Sequence, residues 1–272
     1  MKKLSQTDIK IEELKILISF AKYCDEHELT YALAYGTLLG AVRHEGFIPW
    51  DDDIDIVMPR PDYSALMELV KSGDFPSNLK VVSTELTGYL PAIAKVVNPN
   101  IEVDSGRTIE GNRENLWIDI FPMDGIPNNP MGQKLLYLRS KILGTLSIVS
   151  TLDWRYKSSF LMRSAAFFFG PIARHSSLET WASKRLRNLC LQIPYDSSDL
   201  VGTIAWGLGT CEIVPRSVYD DLIDIVFEGH SFKAPRDYDR VLSQEYGDGY
   251  MQLPPESKRV THELDAFWTN ID

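Results

Sequence analysis

Residues 31–60 read YALAYGTLLGAVRHEGFIPWDDDIDIVMPR, and the second half of that stretch decides how the chain folds. Ile54, Ile56 and Met58 alternate with Asp53, Asp55 and Val57, a period of two that predicts a β-strand with one apolar face. Asp51, Asp53 and Asp55 share a parity, so on an extended chain their carboxylates project to one side. Like charges at that spacing repel and take up protons unless a cation lies between them. Mg²⁺ suits the place, because it takes one or two carboxylates together with substrate phosphates. An exposed acidic turn ahead of a buried strand is the competing reading of the same letters.

Upstream, Tyr31–Tyr35 reads as a short strand halted by Gly36-Thr37, and Leu38–Arg43 as the start of a helix. At such a junction a residue without a side chain lets backbone N–H groups approach a phosphate, and the helix dipole favours the anion. Gly36 and Thr37 alone fit an ordinary strand-to-helix turn; followed by the acidic strand, they point to phosphate. Arg43 and His44 lie between the two motifs. Arg43 is placed to hold a phosphate oxygen or a departing nucleotide, or simply to close the helix, and His44 is a candidate beside it.

Outward from this centre, Leu14, Leu17, Ile18, Ala21 and Cys24 predict an amphipathic helix over 7–27, with Thr7 or Asp8 near its N-cap. Pro59 and Pro61 end the acidic strand, and 62–71 reads as helix. Strands are expected at 79–84, 92–98 and 116–121, with turns at Gly88, Asn98-Pro99 and Asp124-Gly125. Residues 131–190 carry few turn signals and predict several helices, and 194–199 a connector. From Val214 onward the chain reads as loops with one or two short helices. The resulting organisation is an α/β (α+β) core over 1–126, a mainly helical basic lobe over 127–213, and a segment over 214–272 that packs back on the core.

The chain has 272 residues, 44% hydrophobic and 24% charged, with a formal net charge of −10. That balance argues against a nucleic-acid partner, since phosphate backbones are gripped by basic faces. Cys24, Cys190 and Cys211 show no metal-ligand spacing, and an odd, sparse count suits a reducing compartment. A charged start and the lack of a run of about 20 apolar residues lead to the expectation of a cytoplasmic protein. The charge is uneven. Between Lys134 and Arg187 ten Lys or Arg face only Asp153 and Glu179, a net of +8 that leaves −18 for the remainder. Interleaved apolar clusters make peripheral contact with the inner face of a membrane an expectation for 134–187, against a helical lobe whose charges simply face water.

The stretch 31–60, continued by LWIDIFPMDGIP at 116–127, FEGHSFKAP at 227–235 and EYGDGYMQLPPESKRVTHEL at 245–264, resembles the signature of the LicD family of phosphotransferases, which includes the fukutin-type proteins. The resemblance covers about half the chain and is silent across the basic middle. It implies a nucleotidyltransferase-like mixed sheet flanked by helices. Its implied metal ligands are Asp53 and Asp55, with Asp119 as the third carboxylate. Asp51 would bind metal or orient the acceptor, and Asp51 or Asp119 would act as base. Arg259, in the closing signature, is a phosphate-binding candidate. The implied reaction uses Mg²⁺ and a CDP-activated alcohol, most simply CDP-choline. It moves the phospho-alcohol to a hydroxyl of a lipid-linked glycan or teichoic acid precursor and releases CMP. Trp117, Trp206, Tyr246 and Tyr250 are candidates to face a quaternary ammonium. Two other readings are open: a nucleotidylyltransferase that attacks the α-phosphorus of an NTP and releases pyrophosphate, and a non-catalytic binding protein that retains the fold.

Overall fold

The computed structural model describes residues 2–87, 92–104, 114–148, 164, 178–205, 209–259 and 264–269. The chain begins with β1 (Lys2–Lys3), α1 (Gln6–Glu26), β2 (Ala32–Leu33), α2 (Tyr35–His44), β3 (Asp55–Pro59) and α3 (Arg60–Lys71). It continues through β4 (Lys80–Val82), β5 (Ala94–Asp104), β6 (Glu114–Ile126), α4 (Pro130–Ile148), α5 (Leu178–Cys190), β7 (Leu200–Thr203) and β8 (Val214–Pro215). The remaining elements are α6 (Ser217–Asp220), β9 (Leu222–Phe227), β10 (His230–Pro235), α7 (Tyr238–Tyr246) and β11 (Asp265–Trp268).

Among the described residues nine strands form one sheet, in the order β1-β11-β5-β6-β3-β2, with β4 on β5 and β7-β8 continuing from β6. β3 and β6 run parallel, and the other pairs are antiparallel. The expected mixed sheet with flanking helices is therefore what forms. Val96, Ile118, Ile120, Ile56 and Met58 are buried at its centre. β9 and β10 make a separate hairpin. Its two-residue turn, Glu228-Gly229, has φ of 51° and 74°, the left-handed pair that matches the twist of the strands it joins.

Several elements differ from the sequence expectation. Ser5, not Thr7 or Asp8, caps α1: its hydroxyl accepts from the Asp8 N–H while the Asp8 carboxylate accepts from the Ser5 N–H. The buried face of α1 is Ile9, Ile16, Leu17, Phe20, Ala21 and Cys24 with Glu13 among them, and Leu14 and Ile18 are only half-buried. Asp124-Gly125 is not a turn but part of β6, because the Asp124 carboxylate is held by both Nε and an Nη of Arg60, at 2.6 and 2.9 Å. Asn98-Pro99 does not end β5. It makes a bulge, with the register shifting between Asn98 and Glu102 while Asn98 Oδ1 accepts from the Asn100 N–H. The segment after Val214 holds strands as well as helix, including β11, which inserts between β1 and β5. Gly88, the apolar and basic residues between 149 and 163, Trp206 and His262 lie outside the described residues.

Candidate active site

The acidic segment joins the sheet only at Asp55. The Asp51 N–H turns back to the Ile48 carbonyl, and strand pairing starts where the Ile54 carbonyl accepts from the Asp119 N–H at 2.9 Å. Upstream of that point β2 offers no partner, since it spans only two residues and pairs with Ile56 and Val57, and the chain leaves β6, which begins at Glu114, unpaired on this side until Asp119. Asp51 and Asp53 thus stand on an irregular approach, not on one face of a strand, which corrects the alternation read from the sequence.

The carboxylates converge nevertheless. Asp55 lies in register with Asp119 on the adjacent parallel strand, so the two side chains leave the same face of the sheet. Burial pushes the Asp55 carboxyl well above the usual range, and the charges of Asp53, Asp119 and Asp51 push it further. Burial also raises Asp119, to about 6, against the downward pull of Lys95 and of the Trp117 indole N–H, which donates to Oδ2 at 3.0 Å. Burial raises Asp51, which shares a hydrogen bond with Asp53.

Gly36 and Thr37 fall in the first turn of α2 and shape this cluster directly. The Thr37 hydroxyl accepts from the Asp55 N–H at 2.8 Å and so fixes the head of β3. A Cβ on Gly36 would stand 2.5 Å from Asp51 Oδ2, so the missing side chain is what admits the Asp51 carboxylate to the helix start. Tyr35, immediately before, is held at φ +47°. Its hydroxyl shares a 2.6 Å hydrogen bond with Thr203, whose own hydroxyl lies 2.7 Å from Glu212.

Arg43, His44 and Arg259 come together around Trp50, the residue before Asp51. The Arg43 guanidinium carbon lies 6.0 Å and that of Arg259 4.8 Å from the Trp50 ring, and the His44 ring stands edge-on to it at 6.4 Å. Arg43 donates from Nε to His44 and from Nη1 to the Tyr250 carbonyl at 2.8 Å, while Arg259 donates from Nε to the Pro254 carbonyl. These bonds tie the closing signature to α2. Burial, then the neighbouring Arg43 charge, lowers the proton affinity of His44, which therefore offers Nε2 as an acceptor.

Three charged side chains of this site were not read from the sequence. Glu13 of α1 is 2% exposed beneath the acidic segment, its proton affinity raised by burial and then by Asp52, Asp53 and Asp119. A carboxylate in the apolar stripe Ile9-Ile16-Leu17 was the available signal. Lys95 stands opposite Asp119 on β5, with Nζ 3.6 Å from the Trp117 ring centre. Glu245 of α7, raised to about 8 by burial and then by Glu212, is close enough to add to the charge felt by Asp55. No local pattern marks either of the last two, because only the sheet register and the packing of α7 bring them in.

An all-oxygen donor set suits a hard divalent cation. Asp119 Oδ1 is buried without a hydrogen-bond partner among the described residues, and its register pairing with Asp55 gathers charge that a cation would relieve. No group of three or more His, Cys, Asp or Glu among the described residues forms a ready-made ligand set. An ion held here would have to complete its shell with phosphate oxygens and water, as Mg²⁺ can.

Residues 28–141 match the family model described as LicD/FKTN/FKRP, nucleotidyltransferase domain. Over 97% of its length the chain is similar to the lipopolysaccharide cholinephosphotransferase LicD of Haemophilus influenzae, 28% identical and covering 98% of that protein. Shorter similarities reach uncharacterized proteins of Rickettsia typhi, 44% identical over 68 residues and 22% of each chain, and Rickettsia prowazekii, 40% identical over 67 residues, 22% of this chain and 25% of that one.

Proposed function

We propose that this chain, whose residues 28–141 match the LicD/FKTN/FKRP nucleotidyltransferase-domain model, is a transferase moving phosphorylcholine from CDP-choline to a hydroxyl of a glycan precursor. The observation that carries the reading is the register of Asp55 with Asp119, with Asp51 and Asp53 crowded against them. Carboxylates packed this closely weaken the fold unless they serve a cationic ligand. The full-length similarity to a lipopolysaccharide cholinephosphotransferase supports choline as the alcohol and a surface glycan as the acceptor.

Asp53, Asp55 and Asp119 would hold Mg²⁺, which when bound supplies positive charge to the pyrophosphate and the departing nucleotide. The acceptor oxygen forms a bond to the choline-bearing phosphorus as the bond to CMP breaks, its electron pair leaving with CMP. Asp51, raised in proton affinity by burial, takes the acceptor's proton. Thr37 holds Asp55 in place, and the N–H groups of Arg43 and Arg259 that bond neither His44 nor a carbonyl among the described residues serve the donor phosphates. Of the aromatic candidates for the ammonium, Lys95 already covers Trp117, and Tyr250 is buried with its hydroxyl on Asp239. Tyr246 is 44% exposed and near enough to Asp51, Asp53 and Asp55 to feel their charges, so it is the ring we assign to choline.

The test is incubation with Mg²⁺, a lipopolysaccharide or teichoic acid precursor and a panel of CDP-alcohols, following CMP. Acceptor-dependent CMP release, fastest with CDP-choline, is expected. Pyrophosphate release from CTP in place of CMP would replace the reading with nucleotidylyl transfer.

A further inference from the structure

α4 and α5 lie side by side, and their outer surface does not behave like the rest of the molecule. On α4, Met131, Leu135, Leu138 and Ile142 are 76, 53, 57 and 53% exposed. Their spacing of four, three and four residues places them in one row along the helix. The opposite side of α4 is committed to the body of the protein: Leu136, Tyr137 and Ser140 are buried, and the Ser140 hydroxyl donates to the Ile204 carbonyl at the end of β7. The apolar row therefore points away from the fold. Trp181 of α5, 48% exposed with the Arg185 guanidinium 5.8 Å from its ring, adds an aromatic to the same pair of helices.

The charge around the row has the opposite sign to the protein. Lys134, Arg139 and Lys141 on α4 and Lys184 and Arg185 on α5 are exposed, α4 has no acidic residue, and α5 has only Glu179. The whole chain carries −10. Single exposed apolar residues are ordinary on a protein surface, but a row of four bordered by three cations on its own helix, with two more on the helix packed against it, is not. No helix among the described residues is long and apolar enough to cross a membrane.

We propose that the outer face of α4 and α5 docks on an anionic lipid surface, with Met131, Leu135, Leu138 and Ile142 entering the headgroup boundary and the flanking Lys and Arg meeting lipid phosphates. An exposed apolar row bordered by cations, with an exposed Trp on the helix packed against it, matches a helix lying in the interface plane. A second copy in the same orientation would set these cations against one another, whereas anionic lipid complements them. The inference needs nothing from the reaction proposed above. It does give that reaction a geometry, because the inner side of α4 leans on β7, whose Thr203 belongs to the Tyr35–Glu212 hydrogen-bond chain beside Asp55.

Co-sedimentation of the full chain with vesicles of equal parts phosphatidylglycerol and phosphatidylethanolamine, against pure phosphatidylcholine, tests it. Binding to the anionic vesicles alone, weakening with salt, is the expected result. Lys134→Gln, Arg139→Gln and Lys141→Gln combined should weaken it roughly a hundredfold. Leu135→Ser with Leu138→Ser should weaken it by about tenfold or more. Circular dichroism and thermal melting of both variants, expected to match the wild type, separate lost docking from lost folding. Equal binding to both vesicle types, or folded variants that bind as the wild type does, would overturn the proposal. So would sedimentation velocity showing a wild-type dimer that the two Ser substitutions dissociate, which would make the face a contact between copies.

Discussion

Asp55 is where the chemistry and the stability of the site pull against each other. Its carboxylate shares a sheet face with Asp119 and feels Asp51, Asp53 and Glu245 besides. Asp55→Asn keeps the shape and removes one charge, so CMP release should fall about a hundredfold or more while the melting temperature holds or rises. Turnover within about tenfold of wild type would remove Asp55 from the metal site. Glu245 offers a test by pH. Its carboxyl sits near 8 in the folded chain against an ordinary value of 4.5, so the folded state holds a proton that the unfolded chain releases earlier. Stability should accordingly be greatest below about 4.5 and decline as pH rises to about 8, as far as this group is concerned. Glu245→Gln mimics the protonated form, and urea midpoints across that window should show a shallower decline than wild type and a higher value at its alkaline end. An unchanged slope would place the titration elsewhere. Asp51, Asp53 and Asp55 were readable at this scale because clustered aspartates lie directly before an apolar alternation, whereas Asp119 entered only through the family resemblance. Glu13 was readable in principle, as the one charge in an apolar stripe. Lys95 and Glu245 were not, since each is an ordinary surface letter until β5 or α7 turns it inward.

At the scale of elements, local signals told where the backbone would be irregular but not what would follow. Asn98-Pro99 and Asp124-Gly125 are both turn-forming pairs, and both lie inside long strands. The first became a bulge because β6 pairs with β5 on both sides of it. The second stayed extended because Arg60, at the head of α3, grips Asp124 with two hydrogen bonds. Asp124 is 1% and Arg60 11% exposed at the side chain. Removing one partner strands the other charge in the interior, so Asp124→Ala should cost about 3 kcal/mol or more in chemical denaturation. A loss below about 1 kcal/mol would mean that Arg60 finds water instead. The acidic segment taught the converse lesson. Alternation alone suggested strand from Asp53 onward, yet a strand exists only where the chain does pair with a neighbour, and pairing begins at Asp55.

For the whole molecule, the balance of charge is the property most open to measurement. A chain of net −10 that crowds carboxylates at one centre should gain from any cation that fits there. Binding only to the folded state stabilises by about 2.7 kcal/mol at a free concentration about 100 times Kd. Mg²⁺ should therefore raise the melting temperature of the wild type by a few degrees, and leave Asp55→Asn nearly unmoved. Equal shifts in the two proteins would indicate general screening rather than a site. Sheet order carries a different consequence. β11, made of residues 265–268, lies between β5 and β1, so Lys2 and Lys3 have no strand to pair with until Asp265–Trp268 have been synthesised. During translation the nascent chain must hold that edge of β5 exposed while everything between Asp104 and Asp265 is added. Such late, long-range closure belongs with the slow folding topologies and leaves an unpaired strand edge open to aggregation on the ribosome.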